Sequence, residues 1–368
     1  MRIAQVAPLI ETVPPKTYGG TERVVHYLTE ELVRQGHDVT LFASGDSRTE
    51  ADHVAVVKES LRCSRETRDP VVWHQRQLME VLRMADKFDI IHFHTDFSHF
   101  SAMRYLNTPH VTTLHGRLDL PDFQTVFDEF PDMPVVSISD SQRRPIPHAN
   151  WVGTVYNGTP GENYMFQPTP DPVEYFAFLG RFSPEKGPER AIEIAKRLGV
   201  KLKMAAKIDR VDEQYFAERI QPHLSDPLIE YIGEVDEEGK NELLGGAKAL
   251  LFPIDWPEPF GLVMTEAMAC GTPVVAFRNG SVDEVMKPGV TGYIVESIDE
   301  AVAAAENIDK ISRRGCRLYF QDRFDVEPMT HGYVQVYEKL IAPQPTIRIP
   351  SRRAIAKSND QPLTMETA

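Results

Sequence analysis

Cysteine is scarce in this chain. Only Cys63, Cys270 and Cys316 occur, far apart and in no CxxC or Cys/His spacing that would hold a metal. A reducing cytoplasm is the expected setting. Long apolar runs are missing as well: no stretch of ~18 apolar residues exists, so no transmembrane helix is expected. The opening Met1-Arg2-Ile3-Ala4-Gln5-Val6-Ala7-Pro8 has too short an apolar run for a signal peptide. Positive charge is in deficit. The net charge of −14 argues against general nucleic-acid binding, because phosphate contacts need a basic surface. A G-x-G-x-x-G turn after the first strand is also absent, which weakens any dinucleotide-dependent oxidoreductase reading.

What is present is enough chain for two cores. The sequence has 368 residues, about right for two domains of ~150–200 residues each. The first half alternates strand and helix signals. Strands are expected at Ile3–Ala7, Val39–Ala43, Ile90–His94, Val111–Leu114, Val135–Ile138 and Val152–Tyr156. Helices are expected at Thr21–Arg34 and Val71–Ala85. Strands separated by helices imply a parallel sheet covered on both faces. A break at Asn157–Pro172, rich in Gly and Pro, punctuates the chain.

The alternation then restarts, with strands at Tyr175–Leu179, Leu202–Ala206, Ile229–Ile232, Ala249–Phe252 and Val274–Phe277. Helices are expected at Pro188–Arg197, Val263–Cys270 and Glu300–Ile308, and most of the intervening segments also read as helical. Asp325–Leu340 forms a last helix with Pro328 in its first turn. The domains are therefore drawn at 1–157 and 173–324, with 342–368 a flexible tail.

Two segments carry chemistry. In Phe178-Leu179-Gly180-Arg181-Phe182-Ser183-Pro184-Glu185-Lys186-Gly187 a strand ends at a glycine, and a loop with two cations precedes a helix. Arg offers a bidentate fork and Lys a point charge, a pairing that suits a diphosphate. A solvated turn is the plain alternative. In Glu258-Pro259-Phe260-Gly261-Leu262-Val263-Met264-Thr265-Glu266 two carboxylates flank a glycine turn and a helix start. Backbone N–H groups there favour an anion, and the carboxylates can accept hydrogen bonds from sugar hydroxyls.

These motifs, with Gly271-Thr272-Pro273-Val274-Val275, Tyr18-Gly19-Gly20, His115-Gly116 and Asn157-Gly158, resemble the retaining glycosyltransferases of family 4. The resemblance covers roughly 1–340. It implies an α/β GT-B fold, two Rossmann-like domains facing each other across a cleft, with the last helix, 325–340, returning to the first domain. The first would take the acceptor and the second a nucleotide sugar. It further implies that Arg181 and Lys186 hold the diphosphate, Glu266 the ribose, and Glu258 and His115 the donor sugar near the reacting centre. Phe260 and Gly261 would touch the donor through their backbone, and Gly19 and Gly20 would approach phosphate or acceptor. The implied activity is hexosyl transfer to a hydroxyl of a carbohydrate, lipid or small molecule, without a metal cofactor. A sugar-phosphate enzyme such as a phosphorylase, or a non-catalytic nucleotide-sugar-binding protein, would share much of this pattern.

Three further features stay outside that scheme. His92, His94 and His99 form a histidine cluster that reads as buried or cleft-lining rather than metal-binding. Lys207-Ile208-Asp209 stands where family members often carry a glycine. Arg62, Arg65, Arg68 and Arg76 lie beside Val71, Val72 and Trp73, which suggests either peripheral contact with an anionic membrane or simply a solvated face.

Overall fold

The computed structural model describes residues 1–16, 19–64 and 69–342. Tyr18, Arg65, Arg68 and the tail beyond Ala342 lie outside them. Two parallel sheets organise the rest. The first contains β1 (Arg2–Val6), β2 (Asp38–Ala43), β3 (Asp52–Ala55), β4 (Ile90–Phe93), β5 (His110–Leu114), β6 (Val135–Ser137) and β7 (Trp151–Thr154). Its order is β3-β2-β1-β4-β5-β6-β7. The second contains β8 (Tyr175–Arg181), β9 (Lys201–Lys207), β10 (Ile229–Gly233), β11 (Ala249–Phe252), β12 (Val274–Phe277) and β13 (Gly292–Val295), in the order β10-β9-β8-β11-β12-β13. Central strands such as β4, β11 and β12 are buried along their whole length; β11 and β12 read as unbroken apolar runs rather than alternating ones, and only His92 interrupts β4.

Each sheet reverses its winding once, between β1 and β4 and between β8 and β11. Ligand crevices form beyond the carboxyl ends of strands at such reversals. The residues that follow β4, β5, β8 and β11 are therefore delivered to the same region.

The last of the described helices returns to the first sheet. The helix Val326–Ile341 is capped by Asp325, whose side chain accepts from Val326 N at 2.8 Å. Its Val326, Met329, Tyr333, Val336 and Tyr337 share one core with Ile3, Val24, Leu28, Val111 and Val136. Burial of such side chains stabilises by about 1.5–3 kcal/mol each. Pro328 sits in the first turn, where no ladder donor is lost.

Several local expectations change. The first helix spans Gly20–Arg34, starting one residue before the expected Thr21, with Gly19 as its N-cap and no side-chain cap. The stretch 210–225 is not one helix. It breaks into a 3₁₀ turn, a short α segment Glu213–Tyr215, a wide π turn Phe216–Ile220 and another 3₁₀ turn, Gln221–Ser225. Pro222 denies the ladder a donor there. The strands β3 and β13 and the helices Pro121–Glu129 and Arg313–Arg323 add to the expected set.

Candidate active site

A cleft of about 460 Å³ opens between the two sheets. From the second domain it receives the ends of β8 and β9, the loop after β11 and the start of the helix Leu262–Ala269. From the first it receives the start of the helix Gly20–Arg34 and the loop after β5. The two helix starts approach closely: a Cβ built on Gly20 would lie 3.6 Å from Leu262 Cδ1. Two sets of helix N-terminal amides thus converge on one space, an arrangement that favours an anion.

Gly261 makes the second start possible. Its φ is +81°, and a Cβ there would sit 2.8 Å from Met264 Cε and 3.1 Å from Phe252 Cζ. Only glycine takes that backbone shape without strain.

The four charged residues of the two sequence motifs all line this cleft. Lys186 Nζ donates to Glu258 Oε2, which also accepts from Trp256 Nε1 at 3.0 Å. The Lys186 ammonium lies 4.8 Å from the centre of the Trp256 ring. Arg181 pairs with Glu185 at 2.5 Å and with Asp209 at 3.5 Å. Glu185 therefore does not simply face water; it is the counter-ion of the arginine. Lys207 also lines the cleft and pairs with Asp209 at 2.9 Å. It ends β9 in register with Arg181, so the residue in the expected glycine position adds a cation.

Glu266 is the most enclosed of the carboxylates, 4 % exposed. Its Oε1 accepts from Lys240 Nζ at 2.8 Å and Tyr164 Oη at 3.1 Å. Burial pushes its pKa up, but Lys240 and Arg23 outweigh burial and hold it below the usual carboxylate range. Oε2 has no hydrogen bond from the described residues. Lys240 also pairs with Glu237 at 3.0 Å, and Glu237 pairs across the cleft with Arg23 of the first domain.

Arg23, Glu237, Lys240 and Trp256 were not picked out from the sequence. Asp236-Glu237-Glu238-Gly239-Lys240 did carry a signal: Asp236 caps the helix through Gly239 N at 3.0 Å, and the Glu237–Lys240 spacing puts both on one face.

Phe260 is buried and its neighbour Gly261 lines the cleft, as does His115. His115 bonds a side chain rather than backbone: its Nε2 lies 2.8 Å from His94 Nδ1. His92, His94 and His99 are all buried. Their ring nitrogens meet Thr113, Tyr337, Gln5 and Thr112 at 2.7–2.8 Å. The arginine patch is smaller than its sequence spacing suggests. Arg62 turns to the cleft and pairs with Glu11 at 2.8 Å, so among the described residues only Arg76 stays beside Trp73 and the exposed Val71 and Val72.

Two family profiles divide the chain along its two domains. The profile described as Glycosyltransferase Family 4 matches residues 18–151, and Glycosyl transferases group 1 matches 162–318. The chain belongs to the family 4 glycosyltransferases. An uncharacterized glycosyltransferase of Methanocaldococcus jannaschii is 25% identical over 79% of this chain and 85% of its own. A glycogen synthase of Mycobacterium tuberculosis is 24% identical over 92% and 95%. Among solved structures, that of Anabaena HepE in complex with UDP and glucose superposes with a TM-score of 0.70 at 19% identity, covering 92% of this chain and all of that one (100%). The glycosyltransferase is thus a GT-B enzyme with two Rossmann-like domains. Among its described residues no helix is long and apolar enough to cross a membrane.

Proposed function

We propose that this glycosyltransferase moves a hexosyl group from a nucleoside diphosphate sugar to an acceptor hydroxyl, with retention at the anomeric carbon. One observation carries the reading. Arg181, Lys186, the helix start at Leu262 and the carboxylates Glu258 and Glu266 line one wall of a single cleft. A diphosphate needs the cations and amides, and sugar hydroxyls need the carboxylates. The complex of HepE with UDP and glucose supports a donor of this class.

In this reading the bond from the anomeric carbon to the diphosphate oxygen breaks first. Arg181, Lys186 and the helix amides stabilise the charge that develops on the leaving group. The acceptor hydroxyl attacks from the same face and gives its proton to a leaving phosphate oxygen. Glu258 stabilises the positive charge on the sugar. Glu266 Oε2 accepts from the ribose. Phe260 and Gly261 present backbone to the donor, and Gly19 and Gly20 border the phosphate or the acceptor. The side-chain cations take the role a metal would fill, so chelators should leave turnover unchanged. The acceptor enters from the first-domain side, and a lipid acceptor would bring Val71, Val72 and Trp73 to a membrane surface.

A thermal-shift screen of nucleotide sugars would identify the donor, since a ligand that binds only the folded state raises its stability. NMR of the product would then report the anomeric configuration. An inverted product would reject retention. Turnover with inorganic phosphate and a glycan, in place of a nucleotide sugar, would support the phosphorylase alternative. Binding without turnover for any acceptor class would leave only a binding protein.

A further inference from the structure

A buried chain of hydrogen bonds runs from the returning helix to the cleft. Tyr337 Oη accepts from Gln5 Nε2 at 3.0 Å. The other end of that amide, Gln5 Oε1, lies 2.8 Å from His94 Nε2. His94 Nδ1 lies 2.8 Å from His115 Nε2, and His115 lines the cleft. Gln5 and Tyr337 are fully buried, and His94 is nearly so.

The donors in this chain can be assigned in order. An amide oxygen only accepts, so His94 must carry its proton on Nε2. Two neighbouring rings make a charged His94 costly: His92 lies 4.0 Å away between ring centres and His115 lies 5.1 Å away. Burial pushes the pKa of His94 well below its ordinary value. A neutral His94 has a bare Nδ1, so His115 must donate to it from Nε2. The same logic runs the other way. Tyr337, already accepting from Gln5, donates to His92 Nδ1 at 2.7 Å, and His92 Nε2–H then donates to Thr113 Oγ1 at 2.7 Å. Turning the Gln5 amide over would reverse every donor at once. Gln5 is therefore the setting of the whole chain.

We propose that Gln5 and Tyr337 are positioning residues that hold His115 as the Nε2–H tautomer, with its bare Nδ1 offered to the cleft as a hydrogen-bond acceptor for a ligand hydroxyl. The proposal deepens the glycosyl-transfer reading and rests on it for the identity of the ligand. Its consequence is that His115 orients a hydroxyl and does not act as a proton donor. The helix Val326–Ile341, far along the chain, sets that orientation through Tyr337.

The test uses the full chain labelled with ¹⁵N-histidine, with His115 assigned by its loss in His115→Gln. At neutral pH and without ligand, long-range ¹H–¹⁵N spectra should show His115 protonated on Nε2 and bare on Nδ1. Tyr337→Phe leaves the Gln5 amide with one unpaired end in either orientation, so a second tautomer should appear. The loss of one hydrogen bond's bias should lower kcat about three- to tenfold, with the donor KM moving less than about twofold. Gln5→Leu should do the same, and provides the second variant if Tyr337→Phe folds poorly. A proton on Nδ1, or an imidazolium at neutral pH, would overturn the proposal. So would an unchanged tautomer or an unchanged kcat in both variants. The tautomer is read without substrate, so the absence of sugar transfer would count against the function alone.

Discussion

Lys186 and Glu258, 72 residues apart in the chain, form an ion pair inside the cleft. The cation assigned to the diphosphate thus neutralises the carboxylate assigned to the sugar until a donor arrives. Lys186→Ala should lower kcat by about 10²–10³-fold, the usual loss for one preorganised donor to a developing charge. Part of that loss comes from leaving Glu258 negative beside the diphosphate. Lys186→Ala combined with Glu258→Gln should therefore bind a nucleoside diphosphate more tightly than Lys186→Ala alone. Calorimetry of the three proteins checks this. Equal affinities in both variants would mean that the pair does not shape the phosphate site.

The Glu266 cluster should show strong coupling. Glu266→Ala leaves the buried Lys240 short of its nearest partner, which should cost about 3–5 kcal/mol in urea unfolding. Replacing both, Glu266→Leu with Lys240→Met, should cost much less than the sum, since an apolar pair removes both buried charges. Additive losses would show that the two side chains act independently.

Gly187 should tolerate no side chain. Its φ is +66°, and a Cβ would lie 2.1 Å from Pro253 O. Gly187→Ala should cost about 3 kcal/mol or more through strain and clash. It should also raise the donor KM, because Lys186 is its direct neighbour. Thermal unfolding and donor titration would check the two effects, and wild-type values in both would contradict the close approach.

Stability should fall in acid, beginning near the ordinary histidine pKa. Burial holds His92, His94 and His99 well below that value and His115 at about 4. Above about pH 6.5 these groups are neutral whether the chain is folded or not, and they add nothing. Below it the unfolded chain takes up protons that the folded chain refuses, so unfolding gains. Each group that stays neutral removes about 1.4 kcal/mol per pH unit. Urea midpoints measured from pH 7 to pH 4.5 should fall steadily. A flat profile would mean that these imidazoles titrate normally in the native state.

The sequence made the central strands legible because burial on both faces leaves unbroken apolar runs, as in β11 and β12. The edge strand β3 escaped notice because Asp52–Ala55 is mostly exposed and has no apolar pattern. Arg181, Lys186, Glu258 and Glu266 were readable from glycine turns between a strand and a helix. The charged network of Lys240, Glu237 and Arg23 that leads away from Glu266 was not. Arg23 and Glu237 meet only because two domains face each other, and no local spacing encodes that. Arg62 is a similar case: its ion-pair partner in space is Glu11, which no local spacing encodes. His94 stood out in sequence, yet its role depends on Gln5 and Tyr337, which come from opposite ends of the chain.

That separation bears on how the enzyme is made. The core beneath β1 and β5 is closed by Met329, Tyr333 and Tyr337, which leave the ribosome only after the whole second domain. During synthesis the first domain must wait, with apolar surface uncovered, while the whole second domain emerges. A chain cut short before residue 326 would keep every residue assigned above to the donor and still lack one wall of its first half. Completion of the first domain's core therefore follows synthesis of the whole second domain, and products truncated before it are the ones most exposed to aggregation and proteolysis.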